Sequence, residues 1–86
     1  DWNALARVLK DLNVTTEQIE ELKNAMLEDK KNVAEINNDT VLTKTKETAK
    51  KIASYVGLAT ANTSIVLVVQ TIAKALSNYY GFPVQF

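Results

Sequence analysis

Residues 64–80, SIVLVVQTIAKALSNYY, hold the densest apolar content of the chain and a single charge, Lys74. The β-branched run IVLVV on its own is compatible with a buried strand. The residues after this run favour a helix, because apolar residues recur at the spacing of one helix face and AKAL consists of strong helix formers. The residues on that face are Ile65, Val68, Val69, Ile72, Ala73 and Leu76. The pattern therefore predicts a helix over about 62–80.

Both ends of this helix carry signals. Gly81 stands where a left-handed glycine would end it, and Pro83 comes two residues later. At the other end, three residues offer an N-cap: Asn62, Thr63 and Ser64.

Val66 and Leu67 lie off the main apolar stripe, so the first half of the helix is apolar over most of its circumference. Such a helix is expected to be buried between several neighbours. The unbroken apolar run, residues 65–69, is far shorter than the roughly 20 residues that a bilayer requires.

Length and composition limit the number of domains and the fold class. Eighty-six residues make one domain, with 47% hydrophobic residues, two glycines and one proline. This balance favours helices over a turn-rich β fold. Because the chain begins at Asp1 without an initiator Met, we expect it to be a piece of a larger protein. We also expect a cytoplasmic location.

The absence of histidine and cysteine removes most catalytic chemistry. A Ser-His-Asp triad, a Cys-His pair and the usual zinc sites cannot be assembled. The glutamates Glu17, Glu20 and Glu21 fall on the polar side of a predicted helix, where solvated carboxylates are the norm. The sequence therefore predicts no enzyme, no cofactor and no metal site.

Three further helices are predicted, over about 2–12, 15–30 and 40–56. Thr15 and Gln18 form a capping box before the second, and Asp39 or Thr40 is expected to cap the third. With the last helix, they predict an all-α fold. Its architecture is a small four-helix bundle with a hydrophobic, centrally buried last helix.

Residues 82–86, FPVQF, form an apolar tail. We expect it to fold back onto the core rather than to be offered to a partner, because exposed aromatic residues lower solubility. If apolar surface remains exposed after folding, the candidate interface consists of Val66, Leu67, Tyr80, Phe82, Val84 and Phe86.

The net charge is zero, but lysines gather on the third predicted helix. Solvated faces within one small domain explain this better than a nucleic-acid surface, because arginine is nearly missing. The weak basic patch consists of Lys44, Lys46, Lys50 and Lys51.

Two segments together resemble a known family. The first is W-x-x-L-x-x-x-L-x-x-L-x-V-x-x-x-x-I-x-x-L over residues 2–22. The second joins A-x-x-I-x-x-Y-V-G at residues 49–57 to T-I-A-K-A-L-x-x-Y-Y-G at residues 71–81. This layout resembles the C-terminal helical module of AbiTii-type bacterial abortive-infection proteins, although the glycines and the tryptophan typical of that module's later helices are missing. The resemblance implies a domain of a larger phage-defence protein that assembles or recruits partners, and it carries over no catalytic residue.

The residues and the resemblance lead to three hypotheses on function. The first is a non-enzymatic protein-interaction or oligomerisation module, with a protein partner or a second copy. The alternative is a membrane-active, toxin-like domain that inserts its C-terminal helical hairpin. A weaker alternative is a nucleic-acid-binding accessory domain that uses the lysines of the third helix.

Overall fold

The computed structural model describes residues 1–59 and 64–86, with the side chains of residues 58 and 59 left out. These ranges contain helices and no strand, which confirms the all-α fold class. The helices are α1 (Trp2–Asp11), α2 (Thr16–Lys31), α3 (Thr43–Ala59) and α4 (Ile65–Tyr80), with a 3₁₀ turn at Asp39–Val41.

The helices pack in a closed ring, in which α1 contacts α2, α2 contacts α3, α3 contacts α4 and α4 returns to α1. The start of α1 lies beside the end of α4, since Asp1 and Tyr79 line the same cleft. The end of α2 likewise meets the start of α3, where Asp29 contacts Thr45. Neighbouring helices therefore run antiparallel, as in an up-down four-helix bundle, which confirms the predicted bundle; α4 is one member of the ring and not a central helix.

The core is built from one face of each helix. From α4, Val68, Ile72 and Leu76 are completely buried. The other largest side chains that are almost fully buried are Leu9, Leu22, Leu42, Thr45 and Ile52. The apolar stripe predicted for the last helix is thus its buried face from Val68 onward.

The start of α3 differs from the predicted one. Neither Asp39 nor Thr40 caps this helix, because both belong to the preceding 3₁₀ turn, where Asn38 Oδ1 accepts the Thr40 N–H at 2.9 Å. The α-helix begins at Thr43 and runs to Ala59, instead of spanning about 40–56. Residues 40 and 41, which are predicted to start α3, belong to the 3₁₀ turn instead. The cap of α3 comes from another helix, through Asp29 of α2.

The tail folds back, as expected. The backbone N–H of Val84 donates to Ser77 Oγ at 2.9 Å, and the N–H of Gln85 donates to Asp39 Oδ2 at 3.0 Å. The Phe82 ring stacks on Tyr80 with centroids 5.4 Å apart. Val84 is only 4% exposed, so it belongs to the core and not to an accessible interface.

Candidate functional site

Three exposed aliphatic residues lie together in the first turn of α4. Ile65, Val66 and Leu67 are 41%, 64% and 57% exposed. We call these three residues the α4 tip. The prediction that the first half of this helix is buried on all sides is wrong at Val66 and Leu67.

The exposure follows from the unequal lengths of α1 and α4. The two helices are antiparallel and share the end of the bundle where α1 starts, but α1 has 10 residues and α4 has 16. At about 1.5 Å per residue, α4 extends roughly 9 Å beyond the reach of α1. Its first turn therefore has no α1 surface to pack against, and Val66 and Leu67 face outward.

On its other side the α4 tip is held by α3. A Cβ atom placed on Gly57 would collide with Ile65 Cγ1 and would lie 3.3 Å from Ile65 Cα. The two backbones can approach this closely only because residue 57 has no side chain. The tip is thus positioned by a close contact with α3 on the side of Ile65.

The N-cap residue of α4 does not cap the backbone of the tip with its side chain. Ser64 occupies the N-cap position, but its hydroxyl makes no capping hydrogen bond. The first hydrogen bond of the helix is the one from the Val68 N–H to the Ser64 carbonyl oxygen, at 3.1 Å. The N–H groups of Ile65, Val66 and Leu67 precede it and have no acceptor within the helix. The other predicted caps, Asn62 and Thr63, lie outside the described residues.

The α4 tip also lacks charge. From Ser64 to Ala73 the sequence contains no ionisable residue, and the first charge is that of the exposed Lys74. An uncharged aliphatic surface offers neither an ion pair to a nucleic acid nor a proton donor to a substrate. What it offers chemically is apolar area that is buried on contact.

The structure separates the predicted interface residues into two groups. Val66 and Leu67 stand side by side at the tip. The others are at the opposite end of the bundle, where they pack against the core: Tyr80, Phe82, Val84 and Phe86. Ile65 was missed, because the helical pattern placed it on the buried stripe. The shortness of the first predicted helix was the available signal.

The predicted basic patch is divided and partly neutralised. Lys46 pairs with Asp39, and Lys51 pairs with Glu21, each at 3.3 Å. Along α3, Lys44 and Lys51 share one side, while Lys46 lies about 160° and Lys50 about 120° around the helix from Lys44. The four lysines therefore do not form one continuous cationic surface.

A buried polar cluster lies at the end of the bundle opposite the tip. Asp29, only 2% exposed, accepts the Lys44 N–H at 3.1 Å through Oδ1 and the Thr45 N–H at 2.7 Å through Oδ2. Its carboxylate thereby caps α3, since the residue at the N-cap position is Leu42, which has no acceptor. Both oxygens serve the backbone, so this is a structural site.

Tyr80 borders the same cluster. Burial raises the pKa of Tyr80 to about 12; the hydroxyl of Thr45 acts against this shift, and the nearby Tyr79 and Asp29 add to it. Thr45 Oγ1 itself is buried without a hydrogen-bond partner of good geometry in the described part of the chain. A phenol that stays neutral beside a capping carboxylate is compatible with tight packing here.

Residues 1–59 and 64–86 lack two features. These residues contain no group of three His, Cys, Asp or Glu side chains placed to hold a metal ion. Among their helices there is also none with the length and hydropathy needed to span a bilayer.

Comparison with protein-family models, with curated proteins and with solved structures finds no match to this chain.

Proposed function

We propose that this chain is a protein-association module that buries the α4 tip against a second copy of itself. The observation that carries the proposal is the contiguous exposure of Ile65, Val66 and Leu67 on a helix start that α3 holds in place. Exposed apolar groups that are clustered, rather than scattered singly, are typical of interaction surfaces.

Size decides what the tip contributes. A stable interface buries about 800 Å² on each partner, which is more than three partly exposed aliphatic side chains can supply. The tip would therefore be the centre of a larger contact, where a few well-packed residues carry most of the binding energy. Gln70 and Thr71, the next polar residues along α4, would lie in the polar rim that surrounds this centre.

A second copy suits this surface because the tip carries no charge. Two identical charged patches repel each other, whereas two uncharged aliphatic patches can meet across a two-fold axis without that cost. The first lysine of α4, Lys74, is seven residues from Leu67 and lies about 10 Å further along the helix. Its charge would remain in solvent at the edge of such a contact.

The resemblance to AbiTii-type abortive-infection proteins supports a module of this kind. It would place the chain in a bacterial phage-defence protein, in the cytoplasm, where the module assembles the larger protein.

Light scattering on wild type and Leu67→Ala across a tenfold concentration range tests the proposal. Wild type is expected to reach twice the monomer mass. Leu67→Ala is expected to weaken association by tenfold or more, because it removes apolar area from the centre of the contact. The variant should lose less than about 0.5 kcal/mol of unfolding free energy, measured below the concentration at which the chain associates, since Leu67 is already exposed.

Leu27→Ala is the matched control. Leu27 is 50% exposed, similar to Leu67, but it lies on α2 away from the tip. It should leave the mass unchanged at every concentration. A monomeric wild type throughout the range, or equal weakening by the two substitutions, would overturn the proposal.

A further inference from the structure

A small cleft lies at the end of the bundle opposite the α4 tip, where α1, α2, the loop after α2 and α4 converge. Its volume is about 150 Å³. Its lining includes three aromatic rings, those of Trp2, Tyr79 and Tyr80, and the apolar side chains of Met26 and Ile36. We call this feature the aromatic cleft.

The packing of the aromatic cleft explains its shape. Met26 is 6% exposed and belongs to the core, and Ile36 packs against that core from the loop. Tyr79 meets Tyr80 edge to face, with ring centroids 4.9 Å apart, and Tyr80 in turn stacks on Phe82. The Tyr80 ring is therefore held from two sides, which leaves a preformed apolar recess beside it.

Two lysines complete the lining. Lys23 and Lys30 lie on α2 seven residues apart, so both face the cleft, separated by about 10 Å along the helix. The Lys23 ammonium lies 5.6 Å from the Trp2 ring centroid, in cation–π contact. In the described ranges, neither lysine has a carboxylate within ion-pair distance, unlike Lys46 and Lys51.

We infer that the aromatic cleft binds a small aromatic carboxylate, with its ring between Trp2 and Tyr79 and its acid group on Lys23 or Lys30. The ring follows from size and lining, because an apolar protein cavity of about 150 Å³ holds one benzene ring and aromatic side chains favour stacked or edge-on partners. The negative charge follows from the two ammonium groups that lack a carboxylate partner in the described ranges.

The single tryptophan of the chain lies in the cleft, so its fluorescence reports binding directly. Phenylacetate is the probe, and 2-phenylethylamine is its charge-reversed counterpart of similar size. Titration with phenylacetate is expected to change Trp2 emission saturably. The amine should bind at least tenfold more weakly, because it meets ammonium groups instead of being paired by them.

Substitutions test the assignment of the charge. Lys23→Gln combined with Lys30→Gln should weaken phenylacetate binding by tenfold or more, while Lys31→Gln, next to the cleft on α2, should leave it unchanged. Both lysines of the double variant are exposed, so it is expected to fold, and its circular dichroism should match that of wild type. Equal affinity for acid and amine, an equal loss in Lys31→Gln, or no saturable change in wild type would overturn the inference.

Discussion

The starts of α3 and α4 solve the same problem in opposite ways. Each helix presents backbone N–H groups that have no acceptor within the helix. At α3, Asp29 reaches across from α2 and takes up the N–H groups of Lys44 and Thr45 in a buried site. At α4, the Ser64 side chain makes no such bond, and the first turn is exposed.

The difference distinguishes the two ends of the bundle. The end with the α3 start also holds the folded-back tail, which Asp39 fixes through the Gln85 N–H. The end with the α4 start combines an N-cap residue whose side chain makes no capping bond with three exposed aliphatic side chains. The start of α3 thus finds acceptors for its N–H groups within one chain, whereas the α4 tip leaves aliphatic surface exposed, which a second chain can cover.

Removal of the cap on α3 is expected to have the largest effect. Asp29→Ala leaves the buried N–H of Thr45 without its acceptor and should lower the free energy of unfolding by about 2–4 kcal/mol. Urea unfolding measures the loss. Asp29→Asn keeps one acceptor oxygen and should lose less.

The neighbouring Glu28 provides the control for this substitution. Glu28 is exposed on the same helix, so Glu28→Ala should change the free energy of unfolding by no more than about 0.5 kcal/mol. If Asp29→Ala were as mild as Glu28→Ala, the cross-helix cap would not be a stabilising contact.

The α3–α4 contact at the open end should give the next largest effect. In a free helix, Gly→Ala adds about 1 kcal/mol of stability. Gly57→Ala should instead destabilise by about 1–2 kcal/mol, because the new methyl group overlaps Ile65 and approaches its backbone. Thermal or urea unfolding gives the value.

A double-mutant cycle sharpens this test. Ile65→Ala removes the Cγ1 atom that the new methyl group meets, so in that background Gly57→Ala should cost at least about 1 kcal/mol less than in wild type, because most of the overlap is gone. Additive losses in the double variant would mean that Gly57 and Ile65 are not in contact.

The smallest effect concerns the contact between Asp39 and the C-terminal tail at low pH. The pKa of Asp39 is lowered from 3.8, first by the hydrogen bond from the Gln85 N–H and then by Lys46. A lowered folded-state pKa gives stability that is present above pH 3.8 and is lost as the pH falls through the folded-state pKa. Between about pH 5 and pH 2, the free energy of unfolding measured in urea should therefore fall more for wild type than for Asp39→Asn. Parallel pH profiles would contradict the tie between Asp39 and the tail.

The sequence predicts those features whose partners are close along the chain. The capping box of α2 is predictable because Thr15 and Gln18 are three residues apart; the structure confirms it, with reciprocal bonds of 3.0 and 3.1 Å. Gly81, which ends α4 with a φ of 81°, is predictable for the same reason.

Features that depend on residues far apart along the chain cannot be predicted from the sequence pattern. Asp29 caps α3 from 15 and 16 residues away, across a loop whose path no local rule gives, so the predicted start of α3 is too early. The exposure of Val66 and Leu67 together is also beyond the pattern, because helical periodicity describes one helix and not the length of its neighbour. The candidate site lies at the point where that neighbour ends.

Amide hydrogen exchange at a low and a high protein concentration tests the central claim most directly. The Lys44 and Thr45 amides should exchange slowly at both concentrations, because Asp29 binds them within one chain. The Val66 and Leu67 amides should exchange fast in the dilute sample and markedly more slowly in the concentrated one, as a second copy covers the α4 tip. Fast exchange at Val66 and Leu67 that does not depend on concentration would contradict the account.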